Sequence, residues 1–176
     1  MITCVVVENK KLFKSKVPLI TGLAFTLVPF MAGFFMFILK DPDLAEELGF
    51  ISNKAQIVGT ADWFSHLNLL AQAVAIGGLL VFGFIFSWIF GREYSDQTIK
   101  DLLALPIPRT TVVISKFIVA IIWCLFLSIF TLILGLVTGK ILNIPGWSWE
   151  IMIKGIWIFI ACSSLTILIS TPVGFF

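Results

Sequence analysis

The chain alternates between long apolar runs and short polar stretches. Each apolar run is about as long as the roughly 20 residues that a helix needs to cross a bilayer. Because Lys116 stands near the start of the third run, we expect its membrane portion to begin at Phe117. The pattern predicts an all-α integral membrane protein: one transmembrane domain, 1–176, built as a polytopic bundle of four helices at 18–39, 67–90, 112–137 and 151–170.

Composition agrees with this interpretation. Hydrophobic residues make up 59% of the chain and charged residues only 12%, whereas a soluble domain carries roughly 25% charged residues. Three dispersed cysteines, Cys4, Cys124 and Cys162, and the single His66 have no metal-ligand spacing, so we expect no metal site. We expect His66, at the start of the second run, to lie at the membrane interface.

The distribution of Lys and Arg predicts the orientation. Segments 1–17 and 91–116 carry four each, and segments 40–66 and 138–154 carry two each, so alternate segments hold eight against four. The positive-inside rule then places the N-terminus and 91–116 in the cytoplasm of a multi-pass cell-membrane protein.

The external segments are 40–66 and 138–150. Within the first, "DPDLAEELG" predicts a short helix, because Asp41 suits a cap, Pro42 the first turn and Gly49 the exit. An acidic binding surface is the alternative. The chain stops at 171–176 without a charged anchor; either this end is held by packing or the chain continues in its natural form, and we favour a truncated end.

The segment 91–111 connects the second and third apolar runs and carries six charged residues. Its core, "GREYSDQTIKDLLALPIPR", contains an apolar stripe at Ile99, Leu102 and Leu103 with the spacing of one helical face. Pro106 and Pro108 end the helix, because proline disfavours helix in the residue before it. A short helix with charges of both signs could lie on lipid or dock a protein partner.

The same segment resembles a known motif. "REYSDQTIKDLLALPIPRTTVVISKF" closely resembles the cytoplasmic loop of type-two ABC transporter permeases, the group that contains bacitracin-resistance, lantibiotic-immunity and sodium-export permeases. The residues that carry the resemblance are Glu93, Tyr94, Thr98, Lys100, Leu102, Leu103, Pro106, Arg109 and Lys116. Residues 1–17 are similar to the family's N-terminal amphipathic elbow helix, through Glu8, Lys11, Ser15 and Lys16. The family usually has six spans, so two would be missing here.

The resemblance implies a coupling helix that docks on a separate ATPase subunit. Ile99, Leu102 and Leu103 would form the buried contact, and Glu93, Asp96, Lys100 and Asp101 its polar rim. The chain would then be the permease subunit of an exporter, not an enzyme. ATP and Mg would bind the partner ATPase, and the permease would form a homodimer or pair with a related permease, with no nucleic acid involved. The cargo could be an antibiotic, a peptide or another amphipathic molecule.

Other features leave alternatives open. "GLVTGK" lacks the glycine spacing of a Walker A loop, so we expect nucleotide to be bound elsewhere. Polar residues within the spans could line a substrate path or could hydrogen-bond neighbouring helices and their own backbone: Gln72, Ser128, Thr131, Ser163, Ser164 and Thr166. Gly135 and Gly139 could admit a second copy of the chain. A non-transporting scaffold that recruits a cytosolic partner through 91–109 is the alternative function.

Overall fold

A computed structural model describes the backbone of residues 2–40, 61–95 and 108–175, and the side chains of these residues except 93–95, 109 and 175. Every regular element in these ranges is helical, and α2 to α5 are each long and apolar enough to cross a membrane. The all-α architecture with four membrane-spanning helices is therefore confirmed. In chain order the elements are α1 (Ile2–Phe13), α2 (Val17–Lys40), α3 (Trp63–Ser95), α4 (Arg109–Ile141), α5 (Trp149–Ser170) and a 3₁₀ turn (Thr171–Phe175).

The helices run past the apolar segments that predicted them. Both α3 and α4 contain 33 residues, about 50 Å of helix, which exceeds the roughly 30 Å hydrocarbon core. Hydropathy detects only the apolar part of each helix, whereas a helix continues through polar residues as long as its backbone bonds are kept. The true boundaries follow local chemistry: α4 begins after the extended Pro108, and the Ser148 hydroxyl caps α5 by accepting from Ile151 N at 3.3 Å.

The helix α3 lies at the centre of the bundle. It makes its most extensive contact with α5 and also packs against α2, α4 and the 3₁₀ turn. Many of its buried side chains recur at three- or four-residue intervals, with the buried Gly78 between Val74 and Phe82, and form one stripe along the helix. The stripe comprises Trp63, Leu67, Leu70, Val74, Phe82, Ile85 and Ile89.

Glycines allow the neighbours of α3 to approach closely. A Cβ at Gly139 would lie 2.7 Å from Trp63 Cη2, and one at Gly135 would meet the Leu70 side chain. In α5, a Cβ at Gly155 would lie only 3.0 Å from Leu67 Cβ. The small residues Gly135 and Gly139 thus accommodate α3 of the same chain, so the hypothesis that they admit a second copy is wrong.

The helix α2 packs mainly on α4 and exposes its outer side. Between the two helices, Trp123 Nε1 donates to Thr21 Oγ1 at 3.2 Å, and the Phe25 ring stacks on Phe82 of α3 with centroids 5.2 Å apart. The outer side is apolar along its whole length, as a lipid-facing surface must be. Its exposed side chains are Leu19, Leu23, Leu27, Phe30, Phe34 and Phe37.

The turn between α4 and α5 closes the end of the bundle opposite α1. Lys40 Nζ donates to Leu142 O at 3.0 Å, and Trp63 N donates to Pro145 O at 3.3 Å. Positive φ angles at Asn143 and Gly146 reverse the chain here. The predicted short helix of "DPDLAEELG" lies outside the described residues.

Two terminal segments also pack on the bundle. The helix α1 contacts mainly α4, although its predicted role as an elbow stays a prediction. The 3₁₀ turn packs on α3, where Val173 lies over Gly83 and Gly174 lies against the Phe90 ring. Packing, one of the two possibilities that the sequence left open for 171–176, is therefore present at the part of this segment that the structure describes.

Replacing Gly139 with alanine should destabilise the protein. The new methyl group would overlap the ring of Trp63, which is only 3% exposed and is already packed edge to face on Trp147. Such overpacking costs about 1–3 kcal/mol, which lowers the midpoint of thermal unfolding in detergent by a few degrees. Gly22→Ala is the matched control because no atom lies within 4 Å of the place that its new methyl group would take. Equal midpoints for the two variants would contradict this packing.

Candidate functional site

The segment predicted to dock a partner connects α3 to α4. Glu93 and Tyr94 lie in the last turns of α3, and Arg109 is the first residue of α4; the structure describes only the backbone of these three. The other predicted docking residues lie outside the described residues: Asp96, Thr98, Ile99, Lys100, Asp101, Leu102, Leu103 and Pro106. The structure does describe the base of the segment, where α3 ends and α4 begins.

Lys116 holds the two sides of this base together. Its side chain is only 4% exposed. Nζ donates to Ile89 O of α3 at 2.9 Å and lies 5.9 Å from the centroid of the Phe90 ring. Since an ammonium group out of water needs partners for its charge and its three protons, these contacts make the burial tolerable.

Glu8 of α1 supplies the opposite charge. Its Oε2 lies 3.6 Å from Lys116 Nζ, and its Oε1 lies 2.8 Å from Lys11 Nζ. The Glu8 side chain is 11% exposed, so the carboxylate is screened by water much less than one on the open surface. A single carboxylate of α1 therefore pairs with one cation of α1 and one cation of α4.

Arg92 of α3 completes the contacts by capping α1. The last carbonyls of a helix lack partners within the helix. In α1, Lys10 O accepts from Lys14 N and Leu12 O accepts from Ser15 N. Lys11 O accepts from Arg92 Nη1 at 3.0 Å. The arginine also adds a positive charge at the negative end of the helix dipole.

We call this group the α1–α3–α4 junction and define it by Glu8, Lys11, Arg92, Lys116 and the Ile89 carbonyl. The Arg92 guanidinium additionally lies 5.2 Å from the centre of the Trp88 ring, at a distance typical of a cation–π contact. The junction links three helices at the two ends of the 91–109 segment. Its contacts are suited to holding helices in position rather than to chemical catalysis.

Sequence reasoning noted Glu8 and Lys116 separately and missed their pairing. The available signal was charge isolation. Glu8 is the only acidic residue in 1–40, and Lys116 is the only charged residue in 110–139. A solitary cation in an apolar run requires a counter-charge, and the positive-inside pattern already placed residues 1–17 on the same side of the membrane as 91–116.

The polar residues predicted to line a substrate path do not converge. Four of them donate their hydroxyls to carbonyls of their own helix, at 2.8–3.0 Å: Ser128 to Cys124 O, Thr131 to Leu127 O, Ser163 to Ile160 O and Thr166 to Cys162 O. Thr131 faces α2 and Thr166 faces α3. Gln72 is exposed and Ser164 is half-buried. The path itself stays a prediction.

The end of the bundle opposite the junction contains a surface cavity. Its volume is about 390 Å³, and it is lined by Trp63, Gly139, Lys140, Asn143, Ile144 and Trp147. The rings of Trp63 and Trp147 meet edge to face with centroids 4.9 Å apart. His66 lies one turn along α3 and is fully buried, with Nε2 3.0 Å from Gly135 O. The glycines of α4 leave room for its ring inside the bundle, and the expectation that His66 lies at the depth of the membrane interface stays a prediction.

Neutralising Glu8 should weaken the junction measurably. Glu8→Gln removes a carboxylate that pairs with the almost completely buried Lys116, and losing a charged partner of this kind costs about 1.5–3 kcal/mol. Thermal unfolding in detergent should therefore begin at a lower temperature. The matched control is Glu150→Gln, which breaks the exposed pair with Lys154 and should leave the midpoint unchanged. Equal midpoints in the two variants would show that the junction contributes no stability.

Comparison with known proteins places this architecture in a family. Residues 4–176 match the family described as ABC-2 family transporter protein. The bacitracin transport permease protein BCRB of Bacillus licheniformis is 31% identical over 115 residues, which are 65% of this chain and 54% of that protein. The chain therefore spans about half the length of this relative. No solved structure matches this chain.

The family match covers nearly the whole chain, and the same region folds into four helices that can cross a membrane. These two findings agree with the resemblance of the 91–109 segment to the permease loop motif. The chain is a multi-pass membrane protein and belongs to the ABC-2 family of transporter proteins.

Proposed function

We propose that this chain is the permease subunit of an ATP-driven exporter and that separate ATPase subunits dock on its 91–109 segment. The observation that carries the proposal is the junction, which ties both ends of that segment to α1 and to the membrane helices. A partner docked on the segment would act on the end of α3 and the start of α4, which the junction holds together.

The charge distribution supports a cytoplasmic position for the segment. Arg92 contacts Lys11 O, so the two segments with four Lys and Arg each lie at one end of the bundle. Lys40 contacts Leu142 O, so the two less basic segments lie together at the other end. With the more basic end inside, the N-terminus and the docking segment face the compartment that supplies ATP.

The division of labour follows from the same proposal. The permease subunit carries no ATPase site of its own, and ATP and Mg bind the partner subunits. Closure of two ATPases around ATP shifts the permease between inward- and outward-favouring states, working as a homodimer or with a related permease. The relative is named for bacitracin transport, and we propose an antibiotic, a peptide or another amphipathic molecule as the cargo.

Co-purification tests the docking role. The full chain is expressed with its candidate ATPase in a native membrane and extracted in mild detergent. We expect a stoichiometric ATPase to accompany the wild-type chain and to be lost from Leu102→Asp, because a carboxylate in the apolar stripe opposes burial at the partner surface. The bound ATPase is quantified against the permease by mass spectrometry.

Leu44→Asp is the matched control, since it makes the same change in the segment predicted to lie on the other side of the membrane. It should retain the ATPase. A wild-type chain without any bound ATPase would overturn the proposal. A bound ATPase whose ATP hydrolysis moves no cargo would favour the scaffold function.

A further inference from the structure

We propose that Glu8 and Lys116 are positioning residues that couple movement of the docking segment, 91–109, to the membrane helices. They do so by attaching α1 to α4, while α1 also contacts α3. This inference rests on the proposed function, and it concerns residues outside the segment that contacts the ATPase. It predicts variants that bind the ATPase normally but fail to use it.

The first step is that the two ends of the docking segment are fastened to each other. Lys116 of α4 donates to Ile89 O of α3 at 2.9 Å. The Lys116 ammonium also lies beside the Phe90 ring, which packs on Phe117 with centroids 4.7 Å apart. The end of α3 and the start of α4 are thus held together, so a docked partner would move them as one body.

The second step is that α1 contacts each of these helices through a different group. The Glu8 carboxylate pairs with Lys116 of α4, and the Lys11 carbonyl accepts from Arg92 of α3. Glu8 and Lys11 are one helical turn apart and are themselves joined by an ion pair at 2.8 Å. Any rotation of the α3–α4 pair therefore either carries α1 along or breaks one of these contacts.

The third step concerns the kind of contact. An exposed ion pair exchanges readily with water and contributes little. Lys116 is only 4% exposed and Glu8 11%, so breaking their pair costs more than breaking an exposed one. Because the pair is costly to break, a movement of α3 and α4 is expected to carry α1 with it rather than to separate Glu8 from Lys116.

The experiment uses the permease co-purified with its ATPase and reconstituted in lipid vesicles. Two quantities are measured: the amount of ATPase bound, and the part of the ATP hydrolysis rate that depends on the permease. Glu8→Gln and Lys116→Gln should keep wild-type binding and lose permease-dependent hydrolysis by about 5- to 150-fold, the usual range for coupling between sites. Lys116→Gln removes the charge and keeps an amide donor, although its side chain is one atom shorter than that of lysine.

Three further variants separate positioning from simple destabilisation. Lys116→Arg keeps the charge and should retain most of the hydrolysis. The double variant Glu8→Gln/Lys116→Gln should be no worse than either single variant, because residues that act as a pair are not additive. Gly139→Ala, which is destabilised at the opposite end of the bundle, should hydrolyse ATP normally below its unfolding temperature.

The outcomes distinguish the two proposals. If the wild-type chain binds no ATPase, the proposed function and this inference fall together. If the ATPase binds and both glutamine variants hydrolyse ATP at the wild-type rate, only the inference is overturned. Loss of ATPase binding in these variants, or an equal loss of hydrolysis in Gly139→Ala, also overturns it, since the effect would then be docking or general stability.

Discussion

Lipid offers no hydrogen-bond partner, so the buried polar side chains of the four long helices bond within the bundle, with His66 Nδ1 the exception among the described residues. Buried hydroxyls return to carbonyls of their own helix, as Ser128 and Thr166 do. Trp123 finds Thr21 on the adjacent helix. Lys116 is the demanding case, because an ammonium group cannot be satisfied by a single carbonyl. Its need for a carboxylate draws α1 against the bundle.

Because the surroundings are lipid, the helices must also associate without the hydrophobic effect. Close van der Waals contact takes its place. Gly135 and Gly139 of α4 and Gly155 of α5 lower the surface of their helices where Leu70, Trp63 and Leu67 of α3 pack. The two helices therefore both approach α3 closely along its buried stripe. Of the four spans, α3 has the largest buried share of its apolar part, 44%.

The sequence predicted the elements better than their contacts. An apolar run long enough to cross a bilayer is a local property, so four spans could be counted directly. Helix ends were less accurate, because the polar continuation of α3 to Ser95 carries no hydropathy signal. The glycine spacing in α4 correctly indicated a close approach, but it carries no information on which helix approaches. The pairing of Glu8 with Lys116 depends on how distant segments fold together, which one sequence does not specify. The predicted docking role of 91–109 stays a prediction.

Several hydrogen bonds between distant parts of the bundle share one property: the acceptor is a main-chain carbonyl. Lys116 bonds to Ile89 O, Arg92 bonds to Lys11 O, and Lys40 bonds to Leu142 O. Substituting the acceptor residue changes its side chain and leaves the carbonyl in place. The acceptor of each hydrogen bond therefore survives a point mutation. Mutations can remove these bonds mainly through the three basic donor residues. Substitutions at Ile89 or Leu142 should be tolerated far more widely than their central positions suggest, provided that the replacement fits the surrounding packing.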